Sequence, residues 1–196
     1  MIKKVNTPLN EESARSLRIG DRVLLSGTVY TARDAGHERL YNALLRGEDL
    51  PFPLQGAVIF YVGPSPAKPG SVIGSAGPTT SYRMDSYTPM LLEHGLKGMI
   101  GKGQRNEEVK AAIKEFGAVY FAAVGGAGAL LAERITDAKI IAFEDLGTEA
   151  LRQLEVVDFP LIVAGDAEGR DLYIEGPEEY RAQHEIDADN YGGQLQ

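Results

Sequence analysis

Ala57-Val-Ile-Phe-Tyr-Val62 is a continuous apolar run, and it decides the fold class. A strand with one wet face alternates apolar and polar side chains, whereas an unbroken run marks a strand covered on both faces, as in sheets flanked by helices. A second run, over residues 119–123, repeats the pattern. Between and around these two, helical patterns predict a helix over 35–45 stopped by Gly47, one over 82–94 despite Pro89, one over 106–116 with Asn106 as cap, and one over 127–133. Further strands are predicted over 2–7, 21–31, 99–100, 139–143, 160–163 and 171–174. Short helices are predicted after Asn10 and over 148–154. Strands alternating with helices, with hairpin-like strands at both ends, imply a single α/β domain with a mixed, partly parallel sheet. Residues 1–176 form that domain, and the acidic, polar stretch 177–196 reads as a solvated tail or an arm resting on a partner.

Composition narrows the chemistry. The chain of 196 residues contains no cysteine, which excludes disulfides, a thiolate nucleophile, and any zinc or iron–sulfur centre held by its own thiolates. Its 28 acidic and 20 basic residues give a net charge of −8, which argues against nucleic acid or an anionic membrane as the main partner. The uncharged stretch 116–132 is broken by glycines, the stretch 50–67 is broken by prolines, and the N-terminus lacks the apolar core of a signal peptide. A soluble, cytoplasmic protein is expected.

The 23 glycines invite a phosphate-loop reading, which the spacing rejects. A Walker loop ending at Gly101-Lys102 would need glycine at 96 and Ser or Thr at 103, where Leu96 and Gly103 stand. A dinucleotide turn counted from Gly126 would need its third glycine at Leu131. The segment 125–129 reads as a tight turn with close backbone packing. Gly101-Lys102-Gly103 differs, because a lysine between two glycines has no helix face or packing neighbour to serve, and backbone amides with an ammonium suit an anion.

Three segments carry polar groups in loops that follow apolar strands: 26–37 with Arg33, Asp34 and His37; 77–85 with Thr79, Thr80, Arg83 and Asp85; and 101–103 with Lys102. Ligands of open α/β sheets collect outside the carboxyl ends of the strands. Two arginines, a lysine and several hydroxyls suit a small molecule with more than one carboxylate. Singly, each element has a plain structural reading: an exposed Arg33–Asp34 pair, or a threonine helix cap.

The run GPTTSYRMDSYTP (77–89), with SGTVYTARDAGH (26–37) before it and GKG (101–103) after it, resembles the β subunit of class I fumarate hydratases and L-tartrate dehydratases. GGAGALLAERI (125–135) and the stretch 143–173 agree, so the resemblance covers nearly the whole chain up to about residue 173. It implies a β subunit of the swivelling β/β/α type and a hydro-lyase that interconverts a hydroxy dicarboxylate and its alkene. It also implies a 4Fe-4S cluster, held by a partner α subunit and not by this chain, in a heteromer with two copies of each subunit. By the same resemblance Arg33 and Arg83 grip the substrate carboxylates and Lys102 adds a cationic contact. Thr79 is the base that takes the proton from carbon, and Asp34, His37, Thr80 and Asp85 support them. No metal ligand is expected in this chain. Reversible hydration of fumarate to malate is favoured as the commoner role in the family, with tartrate dehydration as the alternative, since both substrates carry two carboxylates and the cationic clamp does not discriminate. A non-catalytic dicarboxylate-binding subunit and a complete cofactor-free enzyme are the competing readings.

Overall fold

A computed structural model describes residues 2–124 and 126–184. One mixed sheet holds its seven strands together. Strand β1 (Ile2–Asn6) is joined through helix α1 (Glu11–Ser16) to β2 (Arg22–Thr31), and the two strands pair in parallel. The hairpin expected at this end is therefore absent: the helical crossover turns the chain back so that both strands run the same way. Helix α2 (Asp34–Leu45) leads to β3 (Val58–Phe60). A 3-10 turn (Ser81–Met84) and α3 (Thr88–Glu93) lead to β4 (Gly98–Gly101), and α4 (Glu107–Phe116) leads to β5 (Val119–Ala122). Strands β2, β3, β4 and β5 are successive parallel neighbours. After α5 (Gly128–Ala132), β6 (Ile135–Ala142) and β7 (Leu151–Gly165) form an antiparallel pair, in place of the hairpin expected between 160–163 and 171–174.

β7 closes the sheet. It pairs antiparallel with β5 on one side and with β2 on the other, so that β2–β3–β4–β5–β7 return upon themselves as a ring of strands flanked by β1 and β6. β2 changes direction at Gly27, where its register with β7 shifts. That glycine has φ +109, and a Cβ there would lie 2.5 Å from the Thr7 hydroxyl.

The opening apolar run is explained by this closure. Val58, Phe60 and Val62 join Val29, Ile100, Phe121, Leu154 and Val163 in one core cluster, which draws on all the ring strands. Ile59 and Tyr61 point the other way, into a second cluster with Leu40 of α2, Leu91 and Leu92 of α3, and Val109 and Ile113 of α4. Each large side chain so buried contributes roughly 1.5–3 kcal/mol. Helix α4 is as its sequence implies: the Asn106 side chain accepts the Val109 N–H at 2.8 Å, and Gly117 ends the helix in the left-handed region.

Three expectations need correction. Residues 148–154 are not a helix. They run from the end of a 3-10 segment (Glu144–Glu149) into β7, where Leu151, Leu154 and Val156 are buried between β2 and β6. The three-residue apolar spacing mimicked a helix turn, but ladder partners on both sides outweigh local preference. Residues 171–174 are not a strand. Asp171 caps α6 (Leu172–Gln183) by accepting the Tyr173 N–H at 2.9 Å, and the helix crosses into the segment read as a tail. The helix predicted over 82–94 is two pieces, with Pro89 in the first turn of α3, where its missing N–H leaves no bond unmade. Residues 185–196 of the predicted tail, and Gly125 of the glycine turn, lie outside the described residues. No helix among the described residues is long and apolar enough to cross a membrane.

Candidate active site

β2, β3 and β4 end at the same side of the ring, and the polar segments follow those ends. The Thr79 N–H donates to Tyr61 O at 2.7 Å, Thr80 bridges Lys102 in parallel fashion, and the Ser81 N–H donates to Lys102 O at 2.9 Å. Residues 79–81 are therefore slotted between the chain leaving β3 and the loop leaving β4. Gly101 makes the slot possible: a Cβ there would lie 2.0 Å from Ser81 Oγ and 2.9 Å from the Tyr61 ring. Thr79 and Lys102 are thereby brought onto one surface, with Thr79 half-buried and Lys102 exposed. Among the described residues the Thr79 hydroxyl makes no hydrogen bond and Lys102 makes no ion pair.

Arg33 stands directly before α2. Its guanidinium packs over the chain beyond β3, where a Cβ on Gly63 would lie 2.9 Å from Arg33 Nη1. Asp34 lies between the two arginines. Its Oδ1 accepts Arg83 Nε at 2.7 Å, and its Oδ2 is 3.7 Å from Arg33 Nη2. Glu149, from the segment before β7, approaches Arg33 Nη2 at 3.4 Å and accepts the Ala35 N–H at 3.2 Å through its other oxygen. Two guanidiniums would repel one another, so the two carboxylates make their proximity tolerable. With Nε held by Asp34, the Nη edge of Arg83 is left as the face for a bidentate carboxylate. Arg33 Nε, Asp34 Oδ2 and His37 Nε2 are three of the buried side-chain atoms without a hydrogen-bond partner. Such groups gather at functional sites more than in plain cores.

His37 and Asp85 are buried beneath these loops. The fully buried His37 donates from Nδ1 to the Arg33 carbonyl at 3.0 Å and sets its ring edge-on to Tyr61. Burial pushes its pKa down to about 4, against the opposing pull of the Arg33 carbonyl. The unfolded chain takes up that proton near its ordinary value while the folded one resists, so stability is present above about pH 6.5 and declines towards pH 4. The loss should approach 3 kcal/mol in order of magnitude. Urea titrations across this window will show it, and a His37→Phe variant should flatten the slope there. Asp85 holds Arg105, a residue sequence reasoning missed. Asp85 Oδ1 accepts Arg105 Nε at 2.7 Å, Oδ2 accepts the Asn106 N–H at 2.8 Å, and the guanidinium lies between the Tyr61 and Tyr120 rings.

The glycine turn is a packing device. A Cβ on Gly128 would lie 2.6 Å from Ser75 Oγ and 2.9 Å from the Gly77 nitrogen, so α5 starts hard against the chain that leads into Gly77-Pro78-Thr79. The chain has no cysteine, and the described residues hold no group of three or more His, Asp or Glu that could bind a metal ion. Glu149, Arg105, Tyr120 and Tyr173 were beyond the reach of motif reading, because each acts across a long sequence separation.

Comparison with known proteins gives the family of the chain. A family model described as the fumarase C-terminus matches residues 2–176. "Fumarate hydratase 2" of Leishmania major is 39% identical over 79% of the chain and 28% of its own length. "Fumarate hydratase class I, anaerobic" of Escherichia coli is 35% identical over 86% of the chain and 32% of its own length. The chain thus spans about a third of these curated relatives. "Putative L(+)-tartrate dehydratase subunit beta" of Methanocaldococcus jannaschii is 38% identical over 85% of the chain and 89% of its own length. The chain belongs to the fumarase C-terminus family.

Proposed function

We propose that this chain is the β subunit of a hydro-lyase of the class I fumarase type, acting on fumarate and malate in a site shared with a cluster-bearing α subunit. The observation that carries the reading is the slotting of Thr79 and Thr80 between the strand ends that bear Tyr61 and Lys102, beside the Arg33–Asp34–Arg83 bracket. A molecule with a carboxylate at each end meets a guanidinium or an ammonium whichever way it lies. Fixing both ends sets one C–H bond against the Thr79 hydroxyl and makes the proton transfer effectively intramolecular. A threonine hydroxyl is almost never ionised at neutral pH, so it needs a basic partner to accept its own proton as it takes one from carbon. That partner, like the Lewis-acid iron the family resemblance implies, belongs to the second chain.

A relative matched over 89% of its own length is named as a putative beta subunit, which supports the two-chain arrangement; its name gives tartrate as the second substrate reading. The domain is read as a swivelling unit that closes over the partner's cluster, in a complex with two copies of each chain.

The test is expression of the chain alone and together with a cysteine-bearing candidate partner, followed by iron content and malate and tartrate dehydration. The single chain should be colourless and inactive and the pair active; turnover by the colourless chain alone would sink the two-chain reading. In the active pair, Arg83→Ala should raise KM for malate about 100-fold, the weight of a lost charge-assisted bidentate contact. An unchanged KM would remove Arg83 from the clamp.

A further inference from the structure

The loop that carries Lys102 has no apolar side chain of its own, since Gly101 and Gly103 flank the lysine. Packing cannot order such a segment, and hydrogen bonds must. Both polar groups of the peptide unit after Lys102 are taken: Lys102 O accepts the Ser81 N–H at 2.9 Å, and the Gly103 N–H donates to the Tyr173 hydroxyl at 2.9 Å. The next carbonyl, Gly103 O, accepts the Tyr120 hydroxyl at 2.8 Å. Tyr120 gives its only proton to that carbonyl, so its 2.9 Å contact with Ser81 Oγ must be donated by the serine. The chain of hydroxyls therefore has one direction, Ser81 to Tyr120 to Gly103, and it starts two residues from Thr79.

We infer that Tyr120 and Tyr173 are positioning residues for Lys102, fixing its ammonium relative to Thr79 through the Gly103 backbone. The inference rests on the reading of Lys102 as a substrate contact. Tyr120 stands on β5, wedged by its ring against Arg105, and Tyr173 stands on the first turn of α6. Two elements distant in sequence thus grip one glycine from opposite bonds. Burial raises the Tyr120 hydroxyl well above its ordinary pKa, so it remains a donor throughout the working pH range.

The experiment uses Tyr173→Phe, Tyr120→Phe and Lys102→Met in the full chain and in its active complex. Each phenylalanine keeps the ring and removes only the hydroxyl. In the full chain, Tyr173→Phe should accelerate hydrogen exchange at the Gly103 amide about five- to tenfold, with thermal unfolding unmoved. In the complex, both phenylalanine variants should raise KM for malate about three- to tenfold and change kcat less than twofold, and Lys102→Met should raise KM further. A Gly103 amide that exchanges as in the wild type overturns the inference. A raised KM for Lys102→Met with wild-type KM for both phenylalanine variants also overturns it. If Gly103 exchange accelerates and none of the three raises KM, the substrate-contact reading of Lys102 fails, and the positioning claim falls with it while the bonds remain real.

Discussion

Thr79→Val in the active complex should lower kcat for malate dehydration about 100- to 10,000-fold, the usual weight of a proton-transfer group, and leave KM within about twofold. The substitution is close to isosteric and removes one hydroxyl. The bond that seats this residue is made by its backbone N–H to Tyr61 O, so its position survives the change. Arg33, Arg83 and Lys102 keep their places, which is why binding should persist. Steady-state rates with malate check both halves of the expectation, and circular dichroism confirms the fold. Turnover at the wild-type rate would remove Thr79 from the chemistry. A KM that rises in step with the fall in kcat would make it a binding group instead.

The second large effect is on stability. Asp85→Ala should destabilise the chain by about 3–5 kcal/mol, the typical cost of stripping the partner from a buried charge. Both partners are almost wholly buried, with side-chain exposures of 7% for Asp85 and 2% for Arg105. Arg105 Nη2 also donates to Thr88 Oγ1 at 2.8 Å, but a neutral hydroxyl does not replace the lost carboxylate. Removing both charges together, as Asp85→Leu with Arg105→Met, should recover a good part of the loss, since the uncompensated ion is then gone. Urea unfolding of the single and double variants measures the difference. A single variant within about 1 kcal/mol of the wild type would show that Arg105 finds another counter-charge. The motif Arg83-Met84-Asp85 thus divides its labour: one charge faces the site, and the other anchors the ground beneath it.

What could be read from residues alone follows a physical line. The runs at 57–62 and 119–123 announced their burial, because a strand covered on both faces has no polar position to hide. α4 announced its ends, because Asn106 and Gly117 act on their own neighbours. Residues 148–154 misled, because their state is settled by β2, more than a hundred residues upstream. Asp171 misled for a local reason: as a cap it resembles any polar residue before an apolar strand, and Pro177 inside α6 concealed the helix that follows. At the candidate site, Arg33, Thr79, Arg83 and Lys102 were singled out because they lie in loops that follow buried strands, and the family resemblance suggested a role for each. Glu149 was invisible, since an isolated glutamate among acidic residues carries no mark of the arginine it meets across the fold.

The closure of the ring by β7 has a temporal side. Among the described residues β7 is the last strand, and there it alone pairs with both β2 and β5. Arg22 faces Ile162 across that seam, so the ring closes only when strands far apart in sequence meet. Without that seam β2 and β5 lack their β7 partner, and the entropy of closing so long a loop must be met before its reward. Weakening the β2–β7 seam should therefore slow folding and lengthen the exposure of unpaired strands to copies of the same chain.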